Sequence, residues 1–267
     1  WEVGLDMKLF KDFNLGLSWY LANTFNQTFD PQISVSSGYT TIYLQTGYVR
    51  NTGLELSLGY GHTWNNNFRW DSNFTLSHNK NKIKELVRDY VHPETGELIN
   101  KDRLDVGGLG KARFILKEGG TLGDLYTQSD LKRDDNGMVD IDPTGIVAIE
   151  NNLPDIKLGS VFPKANLAWS NHFSWKGISL SALFTARIGG IVYSATEAAM
   201  DQYGVSERSA LARDNGGVLV NNRTLVDAQN YYTTIGSESG LPQYYTYNAT
   251  NVRLQEASIG YLIPRKW

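Results

Sequence analysis

A strict two-residue alternation of apolar and polar side chains recurs along this chain, and it constrains the fold more than any other feature. In the first nine residues Val3, Leu5, Met7 and Leu9 fall on one face, with Glu2, Gly4, Asp6 and Lys8 on the other. Period two is the signature of a strand with one apolar and one polar side. After a polar break at Lys11-Asp12-Phe13-Asn14, Leu15, Leu17, Trp19 and Leu21 alternate with Gly16, Ser18, Tyr20 and Ala22. Two such runs around a tight break form a hairpin.

The unit recurs twice. Leu54, Leu56, Leu58 and Tyr60 alternate with Glu55, Ser57, Gly59 and Gly61. After Asn65-Asn66-Asn67, Phe68, Trp70, Phe74 and Leu76 alternate with Arg69, Asp71, Asn73, Thr75 and Ser77. Further on, Leu167, Trp169, Phe173 and Trp175 lead to a turn at Lys176-Gly177. Ile178, Leu180, Ala182, Phe184, Ala186 and Ile188 follow, against Ser179, Ser181, Thr185 and Arg187, with Leu183 out of pattern. A last strand sets Ala257, Ile259, Tyr261 and Ile263 against Glu256, Ser258 and Gly260, and ends at Pro264, which cannot donate to a ladder. These runs predict about seven strands, several longer than the usual five or six residues. Helical periodicity is confined to one short stretch, Ala195 to Ala212, broken by Gly204.

The connections alternate in length. Those inside the hairpins are short, whereas 26–43, 85–162 and 194–249 are long. In an up-and-down sheet successive connections lie at opposite ends, so the long loops should share one rim. Loops beyond about fifteen residues are usually functional. The expected order of proteolysis is therefore 85–162 before the turns at 65–67 and 176–177.

Two architectures fit the alternation. A soluble sandwich packs its apolar face inward. A transmembrane barrel turns it toward lipid and lines a lumen with the polar face. Strand length, the long loops on one rim and aromatics near strand ends favour the barrel. Those aromatics are Trp1, Phe10, Trp64, Phe68, Trp175, Tyr193, Tyr261 and Trp267. On that reading Leu54, Leu56, Leu58, Phe74, Leu76, Leu180 and Phe184 face outward. Glu55, Ser57, Asp71, Asn73, Ser181, Arg187 and Glu256 face the lumen.

Composition excludes other classes. With 41% hydrophobic and 20% charged residues the chain is neither disordered nor a bundle of membrane helices. The mean hydropathy is −0.36, and no run nears the eighteen or so apolar residues of a spanning helix. A net charge of −3 argues against nucleic acid as a partner. The 26 glycines and 32 aromatics suit β structure. With no cysteine there are no disulfides or thiolate sites. The chain opens at Trp1 without Met, as a processed product or fragment would.

Several motifs carry a family resemblance. Trp1-Glu2-Val3-Gly4-Leu5-Asp6 resembles a late barrel strand of the SusC/RagA family of TonB-dependent transporters. Asn51-Thr52-Gly53-Leu54-Glu55-Leu56 resembles another, as does Trp70 through Asn81-Lys82-Ile83. Gly123-Asp124-Leu125-Tyr126 is similar to a family loop. Lys157-Leu158-Gly159-Ser160-Val161-Phe162-Pro163-Lys164 and Gly189-Gly190-Ile191-Val192-Tyr193 resemble a strand entry and a strand end. Asn251 to Tyr261, followed by Pro264-Arg265-Lys266-Trp267, resembles a strand near the family's C-terminus. They run in the family's order across nearly the whole chain.

The resemblance implies an all-β, antiparallel up-and-down segment of a 22-stranded transmembrane β-barrel. Residues 1–267 would be its C-terminal part, with the plug and the final strands absent. It implies the wall of an outer-membrane importer of glycans or peptides in a Gram-negative, Bacteroidetes-like cell. The implied partners are a SusD-like surface lipoprotein, outer-membrane lipid, the oligosaccharide or peptide substrate, and the TonB–ExbB–ExbD complex through the N-terminal part. The alternatives are a barrel adhesin or a siderophore-type receptor without a SusD partner.

No motif supports an enzyme or a bound cofactor. His62, His78, His92 and His172 are scattered, Gly236-Ser237-Glu238-Ser239-Gly240 lacks the central serine of a nucleophile elbow, and Gly107-Gly108-Leu109-Gly110 lacks a phosphate-loop context. Asp134-Asp135-Asn136-Gly137 with Asp140 and Asp142 invites calcium, but an Asn-Gly turn joining 131–133 to 139–141 fits better. The connection 85–162 holds 15 of the 28 acidic residues, as a solvated face or a docking face would. The candidate lumen and substrate residues are Glu55, Asp71, Arg187 and Glu256, with Tyr231 and Tyr244 able either to stack on sugar rings or to pack within their loop. Ordering loops of this size costs about 1–2 kcal/mol per residue, which a bound partner or ligand would offset.

Overall fold

The computed structural model describes residues 1–29, 44–45, 47–64, 67–91, 96 and 98–263. Asn65 and Asn66 of one turn, His92, Pro264 to Trp267 and most of the connection 26–43 lie outside the described residues.

Seven strands form one antiparallel sheet: β1 (Glu2–Leu9), β2 (Phe13–Phe25), β3 (Tyr48–Thr63), β4 (Arg69–Glu85), β5 (Ala165–Trp175), β6 (Ile178–Ile188) and β7 (Asn251–Tyr261). Their order in the sheet is their order in the chain, so the sheet is an up-and-down meander. β3 and β4 run 16 and 17 residues, three times the usual strand length. The sheet is open: β1 and β7 are its edges.

Register sorts the side chains into rows along the hydrogen-bonding direction. One row reads Met7, Leu15, Leu58, Phe74, Trp169, Phe184, Leu254. The next reads Leu5, Leu17, Leu56, Leu76, Leu167, Ala186, Val252. Both are apolar across all seven strands, and no element among the described residues packs over them: Leu58 is 43% exposed, Phe184 37% and Leu254 57%. Buried clusters lie instead at one rim of the sheet: one within the long connections, the other joining Val49 and Ile83 at the rim ends of β3 and β4 to Leu86, Leu104 and Leu116. A soluble sandwich would bury these rows.

Tight turns occupy the other rim. Lys176 and Gly177 take φ of 46° and 86°, the left-handed pair of a type I′ hairpin. Aromatic rings gather there in a continuous chain. Phe13 contacts Tyr60, Tyr60 contacts Trp70, Trp70 stacks on Phe173, and Phe68 joins Phe173 to Trp64. Just above this belt two polar groups intrude on the apolar face, and indoles satisfy both. Trp70 Nε1 donates to Asn171 Oδ1 at 3.1 Å, and Trp169 Nε1 to Ser72 Oγ at 3.0 Å.

The long connections fold. Within 86–164, a four-stranded sheet orders Ile156–Ser160, Asp124–Thr127, Ala112–Lys117 and Arg103–Leu109 side by side. The connection 189–250 carries α1 (Ala195–Gln202), α2 (Glu207–Asp214) and α3 (Ala228–Gly236). Ser194, Ser206 and Asp227 cap these helices, each side chain accepting a backbone N–H three residues on. The expected helical stretch 195–212 is thus two helices, parted at Gly204 with φ of 68°. Neither α3 nor the four-stranded sheet follows from the sequence pattern.

The two connections share one core. Leu131 and Val147 of the first pack with Ala198, Tyr232, Ile235, Leu241 and Tyr245 of the second. Gln243 Nε2 donates to the Ser129 carbonyl at 3.0 Å, and Asn221 brackets Val139 at 2.8 and 2.9 Å. Much of the compensation expected from a partner is therefore internal to the loops.

Candidate functional site

The polar face of the wall is concave and encloses a groove of about 680 Å³, lined among others by Asp6, Glu55, Ser57, Asn166, Arg187 and Arg253. Strand alternation delivers them: every lining polar residue sits one place from an outward apolar one. Glu55 and Arg187 share a row, reading Gly4, Ser18, Glu55, Ser77, Asn166, Arg187, Asn251. Arg187 is steadied from above, its Nη2 donating to the Val161 carbonyl at the base of the loops.

The other candidates are placed differently. Asp71 lies toward the tight-turn rim, where Arg69 donates to both its oxygens at 2.6 Å. Glu256 is exposed on the edge strand β7. Tyr231 and Tyr244 pack against the shared loop core. Burial pushes the Tyr231 hydroxyl up to about 12 and raises that of Tyr244 as well. Alternation alone misses Arg253. The β6–β7 register shifts between Leu183 and Phe184, so Leu183 faces Glu256 while Phe184 faces Leu254. This bulge at Gln255 lets Arg253 and Glu256, three apart, share the concave face.

The Asn51 to Leu56 motif has a mechanical role here. Tyr20 lies across Gly53 so closely that a Cβ there would stand 2.2 Å from its Cζ. The Tyr20 hydroxyl donates to Asn79 Oδ1 at 3.2 Å. Asn79 and Asn81 both donate to Asn51 Oδ1, at 3.2 and 2.9 Å, and Asn81 accepts the Leu122 N–H at 2.9 Å. This ladder ties the wall to the loops. Gly53→Val should cost about 1–3 kcal/mol through overpacking. Tyr20→Ala in the same chain should recover part of that loss, read from the temperature at which the folded barrel loses its fast gel mobility.

Charge inside the loops is organised by single carboxylates. Asp155 takes both forks of Arg103 at 2.7 and 2.9 Å and Lys117 at 2.9 Å. Those bonds, Arg103 first, hold its carboxyl well below the usual range. Asp201, 1% exposed, accepts from Ser206, from the Tyr245 hydroxyl at 2.9 Å and from Arg208. The Arg208 guanidinium stacks 4.9 Å from the Tyr245 ring.

Metal chemistry finds no cluster. Among the described residues no group of three or more His, Asp or Glu converges. Asp134 Oδ1 accepts the N–H groups of Asn136 and Met138, and Asp142 Oδ1 those of Thr144 and Ile146. Both are turn-forming carboxylates, and Arg133 pairs with Val139 as the turn reading expects. His62 bonds Asp12 at 2.8 Å and His172 bonds Ser181 at 2.7 Å, while His78 meets the Lys164 carbonyl.

No protein-family model matches the chain. Three receptors of Formosa agariphila do match it in sequence. TonB-dependent receptor P3 is 24% identical over 291 residues, covering 100% of this chain and 27% of that protein. TonB-dependent receptor P26 is 27% identical over 67% of this chain and 19% of its own length, and receptor P39 is 27% identical over 49% and 11%. The chain thus spans about a quarter or less of the relatives it matches. Among solved structures, that of the RagAB peptide transporter aligns with a TM-score of 0.71 at 19% identity, over 98% of this chain and 28% of that one. Its importer form in the 'open-open' state gives 0.64 at 17% identity. The structural likeness carries the fold, an antiparallel barrel wall, and the named relatives are receptors and a transporter. The chain is thus similar in sequence to TonB-dependent receptors and in fold to part of the RagAB transporter, in line with the resemblance its motifs carry.

Proposed function

We propose that these seven strands are a contiguous stretch of the C-terminal wall of a closed, 22-stranded outer-membrane barrel that imports glycans or peptides with a SusD-like lipoprotein as lid. The observation that carries this reading is the pair of seven-residue apolar rows left uncovered among the described residues, backed by a concave polar face. Lipid is the partner that suits the first and a substrate path the second. The substrate then enters past the loop unit, and energy reaches the barrel from TonB–ExbB–ExbD through the N-terminal part of the parent.

A lid is supported by the surface of the loop unit. Tyr203, Val205, Leu211, Leu219 and Leu225 are 54–77% exposed there, more apolar surface than a solvated loop needs. In the full-length parent, Tyr203→Glu with Leu219→Glu should abolish co-purification of the lipoprotein and reduce uptake, while the barrel still assembles. Unaltered co-purification and wild-type uptake would count against the lid.

A further inference from the structure

The outward apolar face ends, toward the loops, in a basic stripe. Beyond the row of Leu56 and Leu76, alternation continues along β3 through Leu54, Thr52 and Arg50, and along β4 through His78, Lys80 and Lys82. No register shift separates these residues from the apolar rows, so they share the face that points away from the groove. The inward side is closed at this height. Asn81 accepts the Leu122 N–H, and Ile83 is buried in a core formed with Leu86, Leu104 and Leu116. Lys80 and Lys82, on the other side of the same strand, are exposed.

Their height is that of a membrane interface. A barrel strand crosses the hydrocarbon in about 9–11 tilted residues. Trp70, in the ring belt of the tight-turn rim, and Lys80 are ten residues apart on β4. Trp19 and Leu54 end the apolar face one row below Thr52 and Lys80. The ammonium groups therefore stand where acyl chains give way to headgroups.

The charges are close, fixed and uncompensated. Arg50 lies directly opposite Lys82, and Lys80 is diagonal to it, about 7–8 Å away. Like charges directly opposite destabilise a sheet. Arg50 is nevertheless held there: its Nε donates to Asn23 Oδ1 at 3.0 Å and its Nη2 to the Tyr48 hydroxyl. That hydroxyl donates to Asn23 Oδ1 at 3.1 Å, and the Tyr48 ring stacks on Phe25 at 4.8 Å. Among the described residues no carboxylate pairs with Arg50, Lys80 or Lys82, and Glu85, farther along β4, is met by Arg88 at 3.8 Å. The connection 26–43 adds one acid, Asp30. Further strands of a barrel would join at β1 and β7, which leaves the outward face of β3 and β4 to lipid.

We propose that Arg50, Lys80 and Lys82 bind the phosphate of a lipid headgroup in the leaflet at the loop rim. The inference rests on the lipid-facing reading of the apolar rows and adds a headgroup site to it. The guanidinium fork takes two phosphate oxygens, and the lysines supply point charges beside it. An anion there also turns the opposed pair Arg50–Lys82 from repulsive to bridged. Each basic residue near an anionic lipid surface contributes about fivefold.

The test uses the full-length parent, purified in detergent, stripped of lipid and equilibrated with mixed micelles holding equal amounts of diphosphoryl lipid A and its dephosphorylated form. Retained lipid is counted by mass spectrometry. Wild type should hold the phosphorylated form about 10–100-fold better. Arg50→Gln with Lys80→Gln and Lys82→Gln should erase that preference and leave retention of the dephosphorylated form unchanged, which also shows that the variant is folded. Lys80→Arg with Lys82→Arg should keep the preference, as should Lys176→Gln at the opposite rim. No preference in wild type, or a preference that survives the triple variant or is lost in Lys176→Gln, overturns the site. So does a preference abolished by inorganic phosphate but not by chloride of equal ionic strength, which would assign the stripe to a free anion. Each of these leaves the lipid-facing reading standing. A bimane label at residue 58 that aqueous iodide quenches and nitroxide-bearing acyl chains do not overturns that reading, and the site with it.

Discussion

Leu56→Arg is expected to weaken the folded barrel by about 2–4 kcal/mol, the measured range for a charge facing lipid near the bilayer midplane. Leu56 sits in a row that is apolar on all seven strands, so no neighbour offers the guanidinium a partner. The control is one residue away. Ser57→Arg points into the concave groove and should cost far less, because that face already holds Arg187 and Arg253. Equilibrium unfolding of the full-length parent in lipid vesicles reads both. Equal costs for the two would mean that the faces are not differentiated by lipid.

Tyr245→Ala should cost the loop unit about 3–5 kcal/mol, the usual loss for a buried aromatic. Its side chain is 0% exposed, in the core shared by both long connections, and its hydroxyl holds Asp201. Burial and the Asp201 carboxylate both push that hydroxyl upward, so it stays a donor across the physiological range. The damage should stop at the rim, since β1–β7 draw none of their pairing from this core. External protease should then cut both 86–164 and 189–250, with the wall still folded. Cutting confined to 189–250 would contradict the shared core. Tyr245→Phe keeps the packing and should lose only one bond to a charged acceptor, about 1.5–3 kcal/mol.

The wall is legible because period two is local. Each of the seven strands announces itself without reference to its neighbours, and Lys176-Gly177 marks its own turn. The loops are not legible for the converse reason. Asp124–Thr127 pairs with Ile156–Ser160 across some thirty residues, in strands too short for a period to register. α3 is Ala-Gln-Asn-Tyr-Tyr-Thr-Thr-Ile-Gly, rich in aromatic and β-branched residues of low helix propensity, and tertiary burial of Tyr232 and Ile235 overrides that. Its one local signal is Asp227 at the cap. Of the candidate residues, Glu55 and Arg187 meet in one groove because alternation fixes their face. Arg253 escapes because a bulge breaks the alternation beside it. For Tyr231 and Tyr244 composition favours packing within the loop over stacking on a sugar ring, and tertiary contact puts both rings against the loop core.

The central claim is that the apolar face meets lipid and the polar face a water-filled lumen. This segment has no cysteine, so a single thiol placed in it is its one labelling site, and the parent labelled without that thiol supplies the background. Leu58→Cys and Ser57→Cys are adjacent on β3 and point to opposite faces. In the parent in lipid vesicles, a bimane label at 58 should be quenched by nitroxide-bearing acyl chains and untouched by aqueous iodide, with the reverse at 57. Iodide quenching at 58 together with acyl-chain quenching at 57 would contradict the account.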